Sequence, residues 1–389
     1  MASIPLTIRS HLQRTIFTKP SSINRKSFAF RNLTNVARPK ISWLDLRGAG
    51  LSAVERLAME ELLLRHDPLE RCWGIIGVHE PTENRLLKVS SPPHDDRSAQ
   101  KKRASNKLAD VYGHDYDGMT MNRSCAIVMG IGGKPERLID IEAARNDGVL
   151  VLKRFSGGGT VVVDHSSLWT TFIGRNKMLP TVKPYPREIM EWSANIIFGP
   201  AFESWNREIN DNDSGSRRSK GKQTLVFQGK SCGLSGGVGE ILRLPPSEEE
   251  TQQTSHSTLP TFQLKDNDYV LGERKIGGNA QSIVSGGFLH HTSFLWDWDH
   301  MNMDYLTLPE KRPEYRGNRP HDEFLVRLKD HYGKHSAKNS LFAHVKNATD
   351  ESFELEDMTL NDVLKIANDK FGGLQNWFDG KCRTKIVKL

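Results

Sequence analysis

The sequence predicts an α+β fold, in which a mostly antiparallel sheet is flanked by helices. Three observations support this prediction. Short apolar runs, several of them alternating, recur between residues 149 and 174 and again between residues 269 and 296. Glycine-rich turns separate these runs. Helical patterns precede and follow the runs, which together gives the composition of an α+β domain.

The first predicted element is a helix. Ser52 and Glu55 have the spacing of a capping box, and the helix that they open extends to about Arg65. We expect residues 160–164 and 168–174, which alternate, to form an antiparallel hairpin. The other predicted elements are strands at residues 73–78, 125–130, 149–154, 269–271, 275–276, 280–284 and 288–296, and helices at residues 137–146, 188–198, 321–331 and 360–371.

The charge of the chain is concentrated at its N-terminus. The net charge is +7, but residues 1–40 hold eight cations and no Asp or Glu, and without those eight the formal charge is −1. No interleaved basic and aromatic patch is present, so we expect no nucleic-acid partner. No run of about 18 apolar residues exists, so no transmembrane helix and no membrane partner are expected.

Residues 1–40 are basic, rich in Ser and Thr and free of acidic residues, which is typical of a cleaved organelle-targeting segment. They lack a long apolar stretch of the secretory kind. We therefore predict a transit peptide, with the mitochondrion favoured over the plastid. The alternative is a disordered basic tail.

The rest of the chain is predicted to be one folded domain over residues 41–371. Residues 81–122 and 205–265 are polar and poor in apolar residues, and we interpret them as flexible insertions. Residues 372–389 are expected to be a C-terminal tail. The cysteines have no C-x-x-C spacing, so a zinc or redox motif is not indicated and free thiols are expected. They are Cys72, Cys125, Cys232 and Cys382.

Two glycine loops carry the chemical signal. The first is residues 153–160, in which Arg154 precedes three glycines, and the second is residues 272–281, which contains Lys275. Glycines let backbone N–H groups approach an anion closely, and each loop adds a cation. A single glycine run is more often a tight connection, but two such loops predict a cradle for a phosphate or carboxylate.

Four ordered motifs resemble the lipoate–protein ligase A family, in a form that looks organelle-targeted and plant-like. They are Arg154 to Asp164, Asn267-Asp268, Gly272 to Gln281 and His290-His291-Thr292-Ser293. The resemblance covers roughly residues 41–371. It implies the fold shared by biotin and lipoate ligases and by class II synthetase cores, and it implies transfer of lipoate, through a lipoyl-adenylate, to a lysine of lipoyl domains.

The resemblance also implies roles for residues at the two loops. Lys275 would be catalytic, contacting the acyl carbonyl and the phosphate, and Asp268 would associate with Mg²⁺ or the incoming lysine. Arg154 would hold a phosphate or the acyl carboxylate, and His291 would lie at the edge of the acyl tunnel. The other implied contacts to the substrate or adenylate are Ser156, Gly157, Gly158, Gly159, Asn267, Gly277, Gly278, Asn279 and Ala280.

The implied substrates are ATP, Mg²⁺ and lipoate, without a bound prosthetic group. The implied partners are apo lipoyl domains, namely the E2 subunits of 2-oxoacid dehydrogenases and the H protein of glycine cleavage. Bacterial-type ligases carry a small extra domain after the last large-domain helix, where only residues 372–389 stand here. We therefore expect that domain to be absent, and a separate accessory subunit is one way to replace it.

Two alternative functions remain open. Octanoyl- or lipoyltransferases of this fold pair the loop lysine with a cysteine nucleophile. Residues 260–266 and 294–304, where such cysteines would stand, contain none, and Cys232 is a distant candidate. A transferase that takes its acyl group from another donor is still possible. The other alternative is a non-catalytic protein that binds lipoyl domains and regulates another ligase.

Overall fold

The computed structural model describes residues 38–80, 86–87, 125–220, 259–307 and 312–389. Twelve strands are found there: β1 (Lys40–Asp45), β2 (Cys72–Val78), β3 (Cys125–Met129), β4 (Leu150–Lys153), β5 (Val161–Asp164), β6 (Ser167–Arg175), β7 (Phe262–Lys265), β8 (Asp268–Leu271), β9 (Arg274–Val284), β10 (Gly287–Leu295), β11 (Glu354–Met358) and β12 (Lys385–Ile386). The α-helices of the same residues are α1 (Ala53–His66), α2 (Pro135–Leu138), α3 (Ile141–Asn146), α4 (Pro186–Ser193), α5 (Gly199–Lys220), α6 (His300–Met303), α7 (His321–Phe324), α8 (Leu328–Tyr332), α9 (Ser340–Ser352), α10 (Leu360–Phe371) and α11 (Leu374–Gly380).

The strands form two sheets. The large sheet has eight strands in the order β11-β1-β2-β6-β10-β9-β8-β7, and the small sheet has four in the order β12-β4-β3-β5. From β2 to β7 all neighbours in the large sheet are antiparallel, whereas β1 pairs in parallel with both β2 and β11. The prediction of an α+β fold with a mostly antiparallel sheet flanked by helices is therefore confirmed.

Both faces of the large sheet are covered. Adjacent residues of β1, Trp43 and Leu44, lie in different core clusters because successive side chains of a strand point to opposite faces. Leu44 packs with α1, α10, α11 and the small sheet, and Trp43 packs with α5 and α9. The sheet is thus a middle layer whose two faces are both buried.

Helix α1 begins as predicted. Ser52 Oγ accepts a hydrogen bond from the backbone N–H of Glu55, and the Glu55 carboxylate accepts one from the N–H of Ser52. The helix is buried on all sides through most of its length, so the charged residues Arg56, Glu60 and Glu61 are also buried. Each of these three has hydrogen-bonding partners, although Arg56 Nη1 and Glu60 Oε2 have none among the described residues.

The hairpin predicted from residues 160–164 and 168–174 is wrong. Both segments are strands, but β5 belongs to the small sheet and β6 to the large one. Asp164 holds the turn between them, because its Oδ1 accepts from the N–H and the Oγ of Ser166 and from Ser167 Oγ. Alternation predicts each strand, but it does not say which neighbour each strand pairs with.

Several other boundaries differ from the predictions. The single helix expected at residues 137–146 is two short helices, α2 and α3, and that at residues 321–331 is α7 and α8. The helix expected at residues 188–198 is α4 followed by a π-helical turn, and it continues as α5 into the predicted insertion 205–265. Within that insertion, residues 221–258 lie outside the described residues, as do residues 1–37 and nearly all of the insertion 81–122.

The segment after residue 371, expected to be a tail, packs on the domain. Leu374, Trp377 and Phe378 of α11 are buried, and Trp377 Nε1 donates to the carbonyl of Ala58 in α1. Strand β12 adds an edge to the small sheet by pairing with β4. Among the described residues, no helix is both long and apolar enough to cross a membrane.

Candidate functional site: a cavity between two glycine loops

The two glycine loops meet at one cavity. The first loop, residues 153–160, begins at the end of strand β4 in the small sheet, and most of the second loop, residues 272–281, lies on strand β9 of the large sheet. The cavity between them measures about 1360 Å³. Of the residues singled out from the sequence, those that line it are Arg154, Gly157, Gly158, Gly159, Asn267, Asp268, Lys275, Gly278, Asn279, Ala280 and His291.

The loops touch through backbone atoms. The N–H of Gly157 donates to the carbonyl of Gln281 at 2.7 Å. Gly158 has a φ of +105°, and a Cβ there would lie 2.7 Å from the carbonyl oxygen of Asn279. Only glycine tolerates both that backbone conformation and that approach. The glycines of the first loop therefore bring the small sheet against β9.

Arg154 is a clamp for its own loop. Its Nε donates to Ser156 Oγ, its Nη1 to the carbonyl of Val128, and its Nη2 to the carbonyls of Gly157 and Gly159. The side chain is 4% exposed, and burial lowers the pKa of its guanidinium to about 10. The expectation that Arg154 holds a phosphate or carboxylate as a fork is thus not met, because the fork already binds protein oxygens.

The charge of Arg154 nevertheless bears on the cavity. Within the described residues no carboxylate lies at ion-pair distance from it. A buried cation without a counter-ion attracts an anion to the space beside it. The clamp therefore contributes a positive potential to the cavity without an open hydrogen-bonding face.

Ser156 and Gly277 do not line the cavity and have structural roles. Ser156 is fully buried, its Oγ accepts from Arg154, and its carbonyl accepts from the N–H of Ile131. A Cβ on Gly277 would lie 3.1 Å from the ring of Phe294. These two predicted contacts to the substrate are therefore placed one layer behind the cavity wall.

Lys275 is the cation that faces the cavity. Its Nζ lies 2.7 Å from Asp268 Oδ1, and the two side chains are 23% and 12% exposed. Asp268 Oδ2 accepts a hydrogen bond of 2.8 Å from the hydroxyl of Tyr315. Burial and the carboxylate of Asp268 raise the pKa of Tyr315 above its ordinary value, so the phenol stays protonated and donates.

Asp268 does not fit a Mg²⁺ site in this arrangement. Both of its oxygens are taken, one by Lys275 and one by Tyr315. The described residues contain no group of three His, Cys, Asp or Glu side chains that could hold a metal ion. Asp268 therefore acts on the lysine, as a counter-ion that fixes the ammonium at the cavity wall.

The amide of Asn279 is also committed. Its Nδ2 donates to the carbonyl of Asn267 at 3.1 Å, and its Oδ1 accepts from Thr292 Oγ1 at 3.0 Å. Thr292 in turn contacts the buried ring of His290, where burial lowers the pKa to about 3 and keeps the imidazole neutral. Asn267 and Asn279 thus join β8, β9 and β10 under the cavity.

A segment that the sequence did not point to closes the Lys275 end. Residues 312–325 run past β9, and the N–H of Val326 donates to the carbonyl of Lys275. Arg316, which lines the cavity, is 5% exposed, and its Nη2 has no hydrogen-bond partner among the described residues. Burial and the cations of Arg316 and Lys275 lower the pKa of His321 there. No local motif announces these residues, because they reach the site only through the tertiary fold.

His291 lines the opposite part of the cavity and belongs to a buried charged cluster. Its Nδ1 lies 3.1 Å from Glu60 Oε2, and Glu60 Oε1 accepts from Arg56 Nε and Thr171 Oγ1. Burial alone would raise the pKa of Glu60, but the charges of His291 and Arg56 bring it down to about 2. Glu60 and Arg56 were missed because charged residues on a helix are usually solvent-exposed.

No cysteine lines the cavity within the described residues. Cys72, Cys125 and Cys382 are buried elsewhere, and Cys382 lies 3.2 Å from Glu61 Oε2. Burial and the charge of Glu61 raise the pKa of Cys382 to about 12. Cys232 lies outside the described residues. Among its described residues the site thus presents a fixed lysine and backbone groups.

The fold and the site define a class: an α+β domain with two glycine loops that face an anion-attracting cavity lined by Lys275. Residues 118–197 and 247–354 match the family described as the lipoyl protein ligase A/B catalytic domain. The chain belongs to this lipoate–protein ligase family.

Individual relatives were also compared. A Plasmodium falciparum protein named inactive lipoate–protein ligase 2 is 27% identical over 220 residues, which are 54% of this chain and 48% of that protein. The chain thus spans about half the length of that relative. A bi-partite lipoate protein ligase from Thermoplasma acidophilum, solved in a study with its E2 lipoyl domain, is 12% identical with a TM-score of 0.47, covering 91% of this chain and all of that one. A lipoate–protein ligase A bound with ATP is 14% identical with a TM-score of 0.41, covering 86% and 95%.

Proposed function

We propose that this chain transfers lipoate, through a lipoyl-adenylate, to a specific lysine of apo lipoyl domains, those of E2 subunits and of the glycine cleavage H protein. One observation carries the proposal: Lys275 stands on the wall of the cavity that both glycine loops share. Membership of the lipoate–protein ligase family supports the substrate class.

Formation of an acyl-adenylate requires a fixed positive charge beside the reacting phosphate, and the cavity contains one. In the first step a carboxylate oxygen of the acid attacks the α-phosphorus of ATP, the bond to the β-phosphate breaks, and pyrophosphate leaves. Negative charge develops on the oxygens of the α-phosphate, and a fixed ammonium stabilises that charge. Lys275 supplies the ammonium, and Asp268 holds that ammonium in place. The carboxylate of Asp268 is itself fixed by a hydrogen bond from the hydroxyl of Tyr315. In the second step the amine of the acceptor lysine attacks the acyl carbonyl, the bond to phosphate breaks, and AMP leaves.

Absence of a cavity cysteine from the described residues favours this route over a thioester route. A transferase that receives its acyl group from a ready-made donor would use the same lysine. ATP is therefore the substrate whose use must be tested, and a separate accessory subunit is proposed only if the chain accepts lipoyl-AMP but not ATP with lipoate.

A second candidate is a non-catalytic protein that binds lipoyl domains. The name of the P. falciparum relative, which calls that protein inactive, favours it. The fork of Arg154, turned inward onto its own loop, is consistent with it as well. The lysine held on the cavity wall argues for catalysis, since a binding surface for a folded domain does not require an ion pair inside a cavity.

The test is intact mass spectrometry of an apo lipoyl domain incubated with the purified chain. One reaction contains ATP, Mg²⁺ and lipoate, and another contains preformed lipoyl-AMP. Mass gain by one lipoyl group in both reactions is the expected result. Gain with lipoyl-AMP alone would indicate that adenylation needs a partner. An unmodified domain in both reactions, together with measurable binding of the domain, would favour the non-catalytic candidate.

We also propose that residues 1–40 direct the chain to the mitochondrion. Their composition motivates this, and the fold adds a boundary for the experiment. Strand β1 begins at Lys40, and the carbonyl of Pro39 accepts from the N–H of Glu354. A reporter should therefore carry residues 1–37, and it should enter mitochondria. Import into plastids instead, or retention in the cytosol, would contradict the proposal.

A further inference from the structure

The proposed reaction needs a docking surface beside the cavity as well as the cavity itself. Its acceptor is a lysine on a folded domain, so that domain must contact the protein around the entrance while the lysine reaches the acyl group. Such a surface is exposed, continuous with the cavity lining and partly apolar, because exposed apolar patches with polar surroundings mark sites where proteins associate.

Three exposed apolar side chains adjoin the cavity lining. Ile131 is 46% exposed and stands between two glycines that line the cavity. Ile283 is 41% exposed and belongs to the lining itself, and Tyr185 is 60% exposed and directly precedes Pro186 of the lining. Isolated apolar residues on a surface are ordinary, so the arrangement of these three decides whether they form a site.

Hydrogen bonds connect the three positions across the first glycine loop. The N–H of Ile131 donates to the carbonyl of Ser156 in that loop. The next N–H of the loop donates to the carbonyl of Gln281, two residues before Ile283 on β9. The side-chain Nε2 of Gln281 donates to the backbone carbonyl of the residue that follows Tyr185. Ile131, Ile283 and Tyr185 therefore form one continuous surface, the apolar rim.

Two residues of the apolar rim stand where local structure favours a polar side chain. Ile131 is at the corner of a turn that the N–H of Gly133 closes by donating to the carbonyl of Gly130, and Gly, Pro, Asn, Asp and Ser dominate such turns. Tyr185 is the N-cap of α4 without a capping hydrogen bond from its side chain. Neither belongs to a hydrophobic core cluster of the described residues, so the fold does not require their apolar character.

We propose that the apolar rim is the docking surface for the folded acceptor domain, which contacts it through an apolar face beside the acceptor lysine. The inference rests on the proposed function, because that function supplies the occupant: each turnover brings a folded domain to this entrance. The rim crosses the first glycine loop, which the hydrogen bonds of Arg154 hold in place. The surface is thus formed before the domain arrives, and a preformed surface loses little conformational entropy on binding.

The test is transfer from lipoyl-AMP by the full chain, with the concentration of apo lipoyl domain varied. Ile131→Glu combined with Tyr185→Glu places two charges on the apolar rim. The KM for the domain should rise at least about tenfold, while kcat stays within about twofold of the wild type. Binding of lipoyl-AMP alone, measured by calorimetric titration, should match the wild type, since neither side chain lines the cavity.

Leu69→Glu is the matched control. Leu69 is 70% exposed, lies in the connection between α1 and β2, and is not part of the cavity lining. Its replacement adds a charge at an exposed apolar position outside the rim, so KM, kcat and lipoyl-AMP binding should all equal those of the wild type. If the double variant does not fold, Ile131→Ser and Tyr185→Ser remove apolar area without adding charge and should each raise KM in the same direction.

The outcomes separate this inference from the proposed function. A folded rim variant that transfers with an unchanged KM would overturn the inference alone. If no variant transfers, but the wild type binds the domain and the rim variant binds it more weakly, the proposed function fails and the docking surface stands. Sedimentation of the full chain tests the rival occupant, a second copy of this chain: a dimer that the rim substitutions dissociate, with KM unchanged, rejects the docking surface. Absence of both transfer and domain binding in the wild type rejects both proposals.

Discussion

The two glycine loops look alike in sequence but use their cations in opposite ways. Arg154 of the first loop is buried and gives its hydrogen bonds to Ser156 and to backbone carbonyls. Lys275 of the second loop is partly exposed to the cavity and is held by one carboxylate. A guanidinium has five donors in a rigid fork and can donate hydrogen bonds to several carbonyls at once. An ammonium is a compact charge on a flexible side chain, so a single anion can change its position.

The difference indicates a division of labour. The first loop is a rigid wall whose shape depends on Arg154, and the second loop carries the charge that can respond to a substrate. Glycine serves different purposes in each: close approach of the two loops at Gly158, and a turn with positive φ before the lysine at Gly272. Substitutions should therefore separate folding from chemistry according to the loop they touch.

The largest expected effect is on transfer by Lys275→Ala. Loss of the ammonium should reduce the rate of lipoyl transfer by at least about 1000-fold, or about 4 kcal/mol in the transition state, because charge on the acyl phosphate loses its fixed counter-ion. The stability change should stay below about 1 kcal/mol, since the ion pair is partly solvated. Lys275→Arg should restore little activity, because a planar fork does not replace a compact ammonium. Mass spectrometry and thermal melts measure the two quantities.

Lys346→Ala is the control for that substitution. Lys346 Nζ lies 2.8 Å from Asp357 in an exposed ion pair, and neither residue lines the cavity. Lys346→Ala therefore removes the same charge as Lys275→Ala, but outside the cavity. Its transfer rate should equal that of the wild type. Near-normal transfer by a folded Lys275→Ala variant would show that the second loop does not carry the chemistry.

The next effect is on folding, by Arg154→Met. Removal of the fork takes away the hydrogen bonds that Arg154 donates to the carbonyls of Val128, Gly157 and Gly159. The free energy of unfolding should fall by about 3 kcal/mol, offset in part by relief of an uncompensated buried charge. Arg187→Met is the matched control, because Arg187 also lines the cavity but is half exposed and pairs with Glu191. Its stability should change by less than about 1 kcal/mol. Equal melting temperatures for both variants would refute the clamp.

Arg56 is also a buried arginine, but unlike Arg154 it has a carboxylate partner. Arg56 is paired with Glu60, and, against the effect of burial, the charges of His291 and Arg56 lower the pKa of Glu60 from its ordinary value to about 2 in the folded protein. A depressed pKa contributes stability that is complete above the unfolded value and is lost as pH falls toward the folded value. The contribution is roughly 3 kcal/mol and should disappear between about pH 5 and pH 2.

Denaturant titrations across this pH range measure that contribution. Glu60→Gln should be less stable than the wild type at pH 7, because Arg56 keeps its charge and loses its partner. The gap between the two proteins should narrow as the pH falls, since the wild-type carboxyl then becomes protonated. A gap that is constant down to pH 2 would show that Glu60 does not titrate as its neighbours require. Arg154→Met should show no such pH dependence, as no described carboxylate accompanies it.

Much of this fold was predictable because its signals are local. The capping box of Ser52 and Glu55, the strands around both glycine loops and the helix Leu360–Phe371 depend on spacing within a few residues, and all are found. The sheet to which a strand belongs is not a local property. Apolar and polar residues alternate in β5 and β6 as they would in a hairpin. The turn that Asp164 stabilises instead connects β5 in the small sheet to β6 in the large sheet.

Composition also gave wrong predictions for two segments whose apolar side chains are buried against parts of the chain that are distant in sequence. Residues 205–220 are polar enough to suggest an insertion, yet Trp205 and Ile209 of α5 are buried and continue the apolar face of Phe202. The residues after Phe371 suggested a tail, yet Trp377 is fully buried against α1. Hydrophobic residues one helical turn apart carried a signal in both segments, but polar neighbours outweighed it.

The site divides in the same way. The sequence pointed to Lys275 and Asp268 separately, and only the structure shows that the two side chains form an ion pair. It gave the wrong task to Arg154, because residue type alone does not reveal which oxygens surround a guanidinium. Tyr315 lies 40 residues after Lys275 in the sequence, and Glu60 lies 231 residues before His291. Only the folded chain brings each of them to its partner at the cavity.

Gly158→Ala tests the contact between the loops with an effect smaller than that of Arg154→Met. The added Cβ would lie 2.7 Å from the carbonyl oxygen of Asn279 and 2.9 Å from Nη2 of Arg154, at a φ of +105°. Backbone strain and the clash should cost about 2 kcal/mol in unfolding free energy. Transfer should fall too, because the first loop must move away from β9. An unchanged melting temperature would mean that the loops do not touch there.

Gly159→Ala completes the comparison with the smallest expected effect. It is the neighbour of Gly158 and also lines the cavity, but a Cβ there meets no heavy atom within 4 Å and its φ is not in the left-handed region. The free energy of unfolding should change by less than about 0.5 kcal/mol, with a slight gain possible because alanine restricts the unfolded chain. Any loss of transfer in this variant then reports occupancy of the cavity by substrate rather than damage to the fold. Destabilisation comparable to that of Gly158→Ala would indicate that the whole run of glycines is needed for the conformation of the loop, and that its approach to β9 at Gly158 is not the feature that requires glycine.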